Sequence, residues 1–153
     1  MHNNYPLRKF QISDIFEIKV RKEQSEFHAM KVDLAEYGAL LLNGYEALTL
    51  VDKHGKIVWI VGMYQISAST AEGYFLTGDG FEEAFGESPK LFVKAIRKFI
   101  QECPFVRVQT WCKADFVQAE KLIKLMGFTY EGTLRKASVD QQDIKIFSVI
   151  KDV

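Results

Sequence analysis

A single α/β (α+β) domain, with helices on both faces of a mixed sheet, is the fold this sequence predicts, and three observations carry the expectation. β-branched and aromatic residues flank a Gly-containing turn at Asp52-Lys53-His54-Gly55. Ser88-Pro89 opens a run of apolar residues at helical spacing, and strand-like and helix-like stretches alternate from there to Val153. The 153 residues are enough to bury a real core, and no Pro-rich or Gly/Ser-rich linker and no repeat divides residues 1–153.

Taken in order, Leu7 to Gln11 reads as a short strand, and Ser13 as the N-cap of a helix running from about Asp14 to Ala29. A second helix is expected from Leu34 to Leu42, closed by Asn43-Gly44. The period then changes. Ala47 to Val51 and Ile57 to Val61 form an antiparallel hairpin, followed by a strand at Gly73 to Thr77. Ser88 and Pro89 stand as N-cap and N1 of a helix whose apolar face is Leu91, Phe92, Ala95, Ile96, Phe99 and Ile100, with Pro104 as its stop. Phe105 to Trp111 is a strand and Val117 to Met126 a helix ended by Gly127. Two strands, Thr129 to Val139 and Ile144 to Lys151, close the chain across residues 140–143.

Composition narrows the function. Twenty basic and twenty acidic residues cancel, so no overall field draws the chain to nucleic acid or to an anionic membrane, and neither is expected as a partner. Cys103 and Cys112 are too few for a disulfide framework and form no CxxC pair. No apolar run approaches the ~20 residues of a membrane span, and Met1 to Lys9 lacks a signal-peptide core. The expected location is the cytoplasm of the producing cell, with later packaging into a virus particle left open. His2, His28 and His54 are scattered, so no metal site is predicted.

Residues 106–135 form a coherent pattern: a strand, a helix bearing Ala119 and Leu122, then Met126-Gly127-Phe128 and Tyr130-Glu131-Gly132-Thr133-Leu134-Arg135. This resembles the GNAT superfamily of N-acetyltransferases, in which a helix ends at Gly-Phe and the chain continues as Glu-Gly-x-Leu-Arg. The resemblance implies a mostly antiparallel central sheet in which two parallel strands splay apart, with acyl-CoA lying between them and an amine attacking its thioester. It also implies a Gln/Arg-x-x-Gly-x-Gly/Ala loop whose backbone N–H groups hold the pyrophosphate. Here that stretch is residues 78–89, with three glycines at other spacings and with Asp79, Glu82, Glu83 and Glu87 where an anion would dock. Carboxylates there oppose the pyrophosphate, and Pro89 removes a donor. The tyrosine acid expected four residues before Gly127 is replaced by Ile123.

A second resemblance, to the small internal virion protein A family of short-tailed phages, rests on the order of Tyr74-Phe75-Leu76-Thr77, Lys90 to Lys98, Val108 to Trp111, Leu125 to Phe128 and Ile146 to Ile150. Two readings follow. In the first, the chain is a degenerate GNAT-fold interaction module, a phage internal virion or assembly protein with a protein partner or self-association, no cofactor, and Phe81 and Phe85 as interaction residues, either folded back as a plug or projecting as anchors. In the second it is an acetyl-CoA-dependent N-acetyltransferase, with Ser88 and Lys90 as the phosphate contacts. An anti-host factor binding a bacterial protein is a third class. No catalytic residue is assigned: Glu46, Glu72 and Asp115 read as surface carboxylates, Cys112, Trp59, Trp111 and Phe116 as packing, and Lys90, Lys94, Arg97 and Lys98 as a solvated helix face.

Overall fold

A computed structural model describes residues 7–20 and 44–152. The seven strands among them are β1 (Leu7–Lys9), β2 (Glu46–Val51), β3 (Ile57–Gln65), β4 (Thr70–Thr77), β5 (Arg107–Lys113), β6 (Thr129–Leu134) and β7 (Ile144–Ile150). The helices are α1 (Asp14–Glu17), α2 (Phe81–Glu87), α3 (Pro89–Glu102) and α4 (Val117–Leu125). Hydrogen bonding orders the strands β1-β2-β3-β4-β5-β7-β6, with β4–β5 parallel and β1–β2, β2–β3, β5–β7 and β7–β6 antiparallel. This is the mixed, mostly antiparallel sheet with helices that the sequence predicts. The expected helix at residues 34–42 and the continuation of the first helix through residues 21–29 lie outside the described residues.

The chain divides into two compact units: residues up to Tyr64 with Tyr74–Ser88, and Gln65–Gly73 with residues from Pro89 on. In the first unit, β2 and β3 pair from Glu46↔Met63 to Leu50↔Trp59, with a shift at Leu50/Val51 that leads into the turn. Asp52 organises that turn, its Oδ1 accepting from the His54 and Lys56 amides at 2.8 and 2.9 Å, and Gly55 takes φ 83°. His54 is exposed there. The core gathers Phe10, Ile15, Ile18, Ala47, Ile57, Ile60 and Leu76. Gly62 is required by a close approach, since a Cβ there would stand 2.3 Å from the Tyr74 hydroxyl and 2.6 Å from the Glu46 carbonyl.

The first helix departs from expectation. It is a single turn, Ser13 is helical and makes no side-chain cap, and Ile18 is already extended at φ −69°, ψ 131°. An ion pair between the half-exposed Arg8 and the buried Asp14 explains the turn. Asp14 is 1% exposed and receives Arg8 Nη1 and Nη2 at 2.8 Å each, the Gln11 amide at 2.8 Å and Thr49 Oγ1 at 2.7 Å. Burial pushes the Asp14 carboxyl up, but these donors outweigh it and hold it below the ordinary carboxylate range.

In the second unit the β4–β5 ladder runs over three pairs, Thr70↔Arg107 to Glu72↔Gln109, and Thr110 Oγ1 then donates to the Gly73 carbonyl at 3.0 Å. Helix α3 buries Phe92, Ile96 and Ile100, as its apolar spacing predicts, and α4 buries Ala119, Leu122 and Ile123. Both helices have their C-terminal carbonyls tied. Lys151 Nζ donates to the carbonyls of Ile100, at 3.0 Å, and Cys103; Arg97 Nε and Nη2 reach the Leu125 carbonyl at 3.1 and 2.8 Å. The strand expected to run to Val139 stops at Leu134. Lys136 and Gln141 adopt φ 52° and 61°, and Lys113 binds Asp140, so residues 135–143 are a tethered loop. Trp111, expected in the core, is 37% exposed, while Trp59 is 1% exposed.

Candidate functional site

The two stretches that carry the family pattern are residues 123–135 in the second unit and 78–88 in the first. In the former, Gly127 takes φ 100° after the last turn of α4, its amide donating to the Lys124 carbonyl at 3.0 Å while Phe128 donates back to Ile123 at 3.3 Å. This pair of bonds is the left-handed C-terminal cap predicted for the Gly-Phe pair, and Phe128 is buried beyond it. The register slips between Tyr130 and Gly132, and Glu131 occupies the bulge. Its carboxylate takes Arg107 Nη1 and Nη2 at 3.0 and 2.5 Å and Ser148 Oγ at 2.9 Å. Those bonds, Arg107 first, pull the Glu131 carboxyl from 4.5 to about 2. Arg107 Nε continues the row to Gln109 Oε1 at 3.1 Å, and Gln109 Nε2 reaches Glu72 Oε1 at 3.4 Å. Sequence reasoning missed this polar row, which spans four strands. The alternation of Arg107 and Gln109 on β5 was its signal, but the bulge that brings Glu131 to them leaves none.

Residues 78–88 do not form an open loop. Helix α2 occupies most of the segment, and five of its backbone amides are engaged within the first unit. Gly78 donates to the Val58 carbonyl at 2.8 Å, Asp79 to Lys19 at 3.0 Å, Phe81 to Gly78 at 3.1 Å, Ala84 to Gly80 at 3.0 Å, and Ser88 to Ala84 and Phe85 at 3.3 and 3.2 Å. The first turn carries Glu82 and Glu83, with Asp79 just before it, so the positive end of the helix dipole is met by the chain's own carboxylates. Glu87 lies 4.0 Å from Lys53. These five amides are already committed within the chain and are not presented to a pyrophosphate.

The candidate residues fall as follows. Phe81 is buried and its ring centroid lies 5.2 Å from that of Trp59; Phe85 is half-buried at 5.7 Å from Phe81. Ser88 is half-buried at the C-terminus of α2, and Lys90 is exposed in the first turn of α3. Ile123 is fully buried. Glu46 and Asp115 are exposed, Glu72 is half-buried beside Gln109, and Cys112 is buried. Lys90, Lys94, Arg97 and Lys98 are all exposed. Among the described residues no three His, Cys, Asp or Glu side chains are grouped to hold a metal, and no helix is long and apolar enough to cross a membrane.

Solved structures share this fold. Ard1 of Thermoplasma volcanium superimposes with a TM-score of 0.78 at 16% identity, covering 99% of this chain and 100% of that one. A GNAT-family acetyltransferase from Bacillus anthracis gives 0.68 at 13% identity, covering 98% and 96%. A chimeric spermidine N-acetyltransferase from Vibrio cholerae gives 0.68 at 14% identity, covering 97% and 96%. The chain therefore has the GNAT fold. No family model matches the sequence, and no curated protein does.

Proposed function

We propose that this GNAT-fold chain works as a protein-interaction module and takes up no acetyl-CoA, with a phage internal virion or assembly role as the specific form. The observation that carries the reading is the engagement of the Gly78, Asp79, Phe81, Ala84 and Ser88 amides inside the chain, where a cofactor-binding relative would present such donors to phosphate. Carboxylates at the first turn of α2 reinforce it by opposing a polyanion. Isoleucine at position 123, buried and without a proton to donate, agrees with the absence of a thiolate acid. The phage role rests on the order of sequence patterns from Tyr74 to Ile150, and the expected partner is a protein or a second copy. Fold alone does not assign activity, and the site decides it.

Calorimetry with acetyl-CoA tests the reading. The expected result is no saturable heat at ligand concentrations up to about 1 mM, the range where binding free energy falls to about −4 kcal/mol. Micromolar binding that weakens with added salt would restore the acetyltransferase.

A further inference from the structure

Pro104 stops α3, and Cys103 is carried into the second unit at its C-terminus, 5% exposed and with a free thiol. Lys151, half-buried and one residue past β7, brings its Nζ to the same point. There it donates to the Ile100 carbonyl at 3.0 Å, to the Cys103 carbonyl and, at 3.3 Å, to Cys103 Sγ. Backbone bonds fix the lysine's place: the β5–β7 ladder starts at Arg107↔Ile150, and the Lys151 amide donates to the Val106 carbonyl at 2.7 Å. A cation that only capped the helix would need the two carbonyls alone. The third contact sets a primary amine against a sulfur, between residues 48 positions apart in sequence.

We propose that Cys103 and Lys151 form an oxidative modification site, in which a hydroperoxide converts the Cys103 thiol to a sulfenic acid and the Lys151 amine captures it as a sulfenamide. In the first step sulfur attacks a peroxide oxygen and the O–O bond breaks. Sulfur, oxidised by two electrons, keeps that oxygen as S–OH, and the rest of the hydrogen peroxide leaves as water. In the second step Lys151, having released its ammonium proton to solvent, attacks the same sulfur with its nitrogen lone pair. The S–N bond forms, the S–O bond breaks, and the departing hydroxide takes a proton from nitrogen to leave as a second water. Sulfenic acids condense with nitrogen in this way, and an amine already held at 3.3 Å meets the sulfur as an intramolecular partner. The product ties the end of α3 to the end of β7. Neither residue takes part in the contacts on which the proposed function rests.

The test treats the full wild-type chain with hydrogen peroxide and reads its intact mass, its tryptic map and its thermal midpoint. The expected product has lost two hydrogen atoms and gained no oxygen. Trypsin, which cuts after Lys98, Arg107 and Lys145, should then yield residues 99–107 covalently joined to residues 146–153, with no cut after Lys151. Closing so long a loop should raise the thermal midpoint by about 5 °C or more, and a thiol reductant should return both mass and midpoint to their starting values. Lys151→Arg keeps a cation for the Ile100 and Cys103 carbonyls but removes the amine, so it should give oxygen adducts at Cys103 and no joined peptide. Cys112→Ala, at the other cysteine, should leave the joined peptide in place. The inference is overturned if Cys103 of the wild-type chain stays reduced, or if it goes on to sulfinic acid while trypsin still cuts after Lys151. Both results are read on the wild-type chain and need no variant to fold.

Discussion

The segments 78–88 and 123–135 both follow a strand or helix that the family pattern anticipates, yet they dispose of their backbone donors in different ways. At 123–135 a left-handed glycine reverses the chain, the two amides after α4 turn back onto it, and Glu131 is delivered to Arg107 and Ser148. At 78–88 the donors are drawn into a helix and onto Val58 and Lys19. The first arrangement is structural reinforcement and can be retained whatever the protein does. The second commits the Gly78, Asp79, Phe81, Ala84 and Ser88 amides within the chain, which is the observation the proposed function rests on.

The sharpest way to break this comparison is at Phe81. Its ring is buried against Trp59, so Phe81→Ser with Phe85→Ser should destabilise the chain by about 3 to 5 kcal/mol, as expected for loss of a buried aromatic ring. Chemical denaturation measures this, and sedimentation measures association. A stability loss with unchanged association makes the segment a folded-back plug; unchanged stability with lost association makes it an anchor; no change in either ends the claim that the rings have a partner.

Next in size is Ile123→Ala, expected to cost about 2 to 5 kcal/mol through the cavity it leaves. Ile123→Tyr should also destabilise, because the site is fully enclosed and overpacking costs typically about 1 to 3 kcal/mol. Thermal midpoints check both. A tyrosine variant that gained acetyl transfer at unchanged stability would reverse the assignment of position 123 to packing.

The smallest expected effect is a pH dependence at Glu131. Its folded pKa of about 2 lies below the ordinary 4.5, so its contribution is fully present above about pH 4.5 and is lost as pH falls through 2. Glu131→Gln should lower the thermal midpoint slightly at pH 7 and flatten its fall between pH 4.5 and 2. An identical pH profile in both proteins would show that the carboxylate is held no more favourably than in the unfolded chain.

How legible these regions were follows from the range of the forces involved. The hairpin around Asp52–Gly55, helices α3 and α4 and the glycine cap at Gly127 are set by neighbours a few residues apart, and their residue types announce them. A loop over residues 78–89 is what the resemblance implies, and the helix found there has its cause at a distance, since Phe81 is fixed by Trp59, 22 positions away in sequence. The early stop of α1 has the same origin. Ile15 and Ile18 have helical spacing, but Asp14 is claimed by Arg8 and Thr49, and the chain leaves the helix to reach Gly78. Glu131 was legible as part of a motif and illegible as a partner of Arg107, since a bulge shifts which face a side chain takes.

The ion pair at Asp14 also bears on how the molecule opens. A three-residue strand at the edge of a sheet ordinarily frays at little cost and exchanges its partners independently of the rest. Here, pulling Leu7–Lys9 away would leave a carboxylate that is 1% exposed without its guanidinium, a penalty that water at the half-exposed Arg8 side lessens and does not remove. β1 therefore cannot peel off as an independent flap. It opens together with β2, to which Thr49 ties the same carboxylate, so the shortest strand of the sheet belongs to one of its cooperative units.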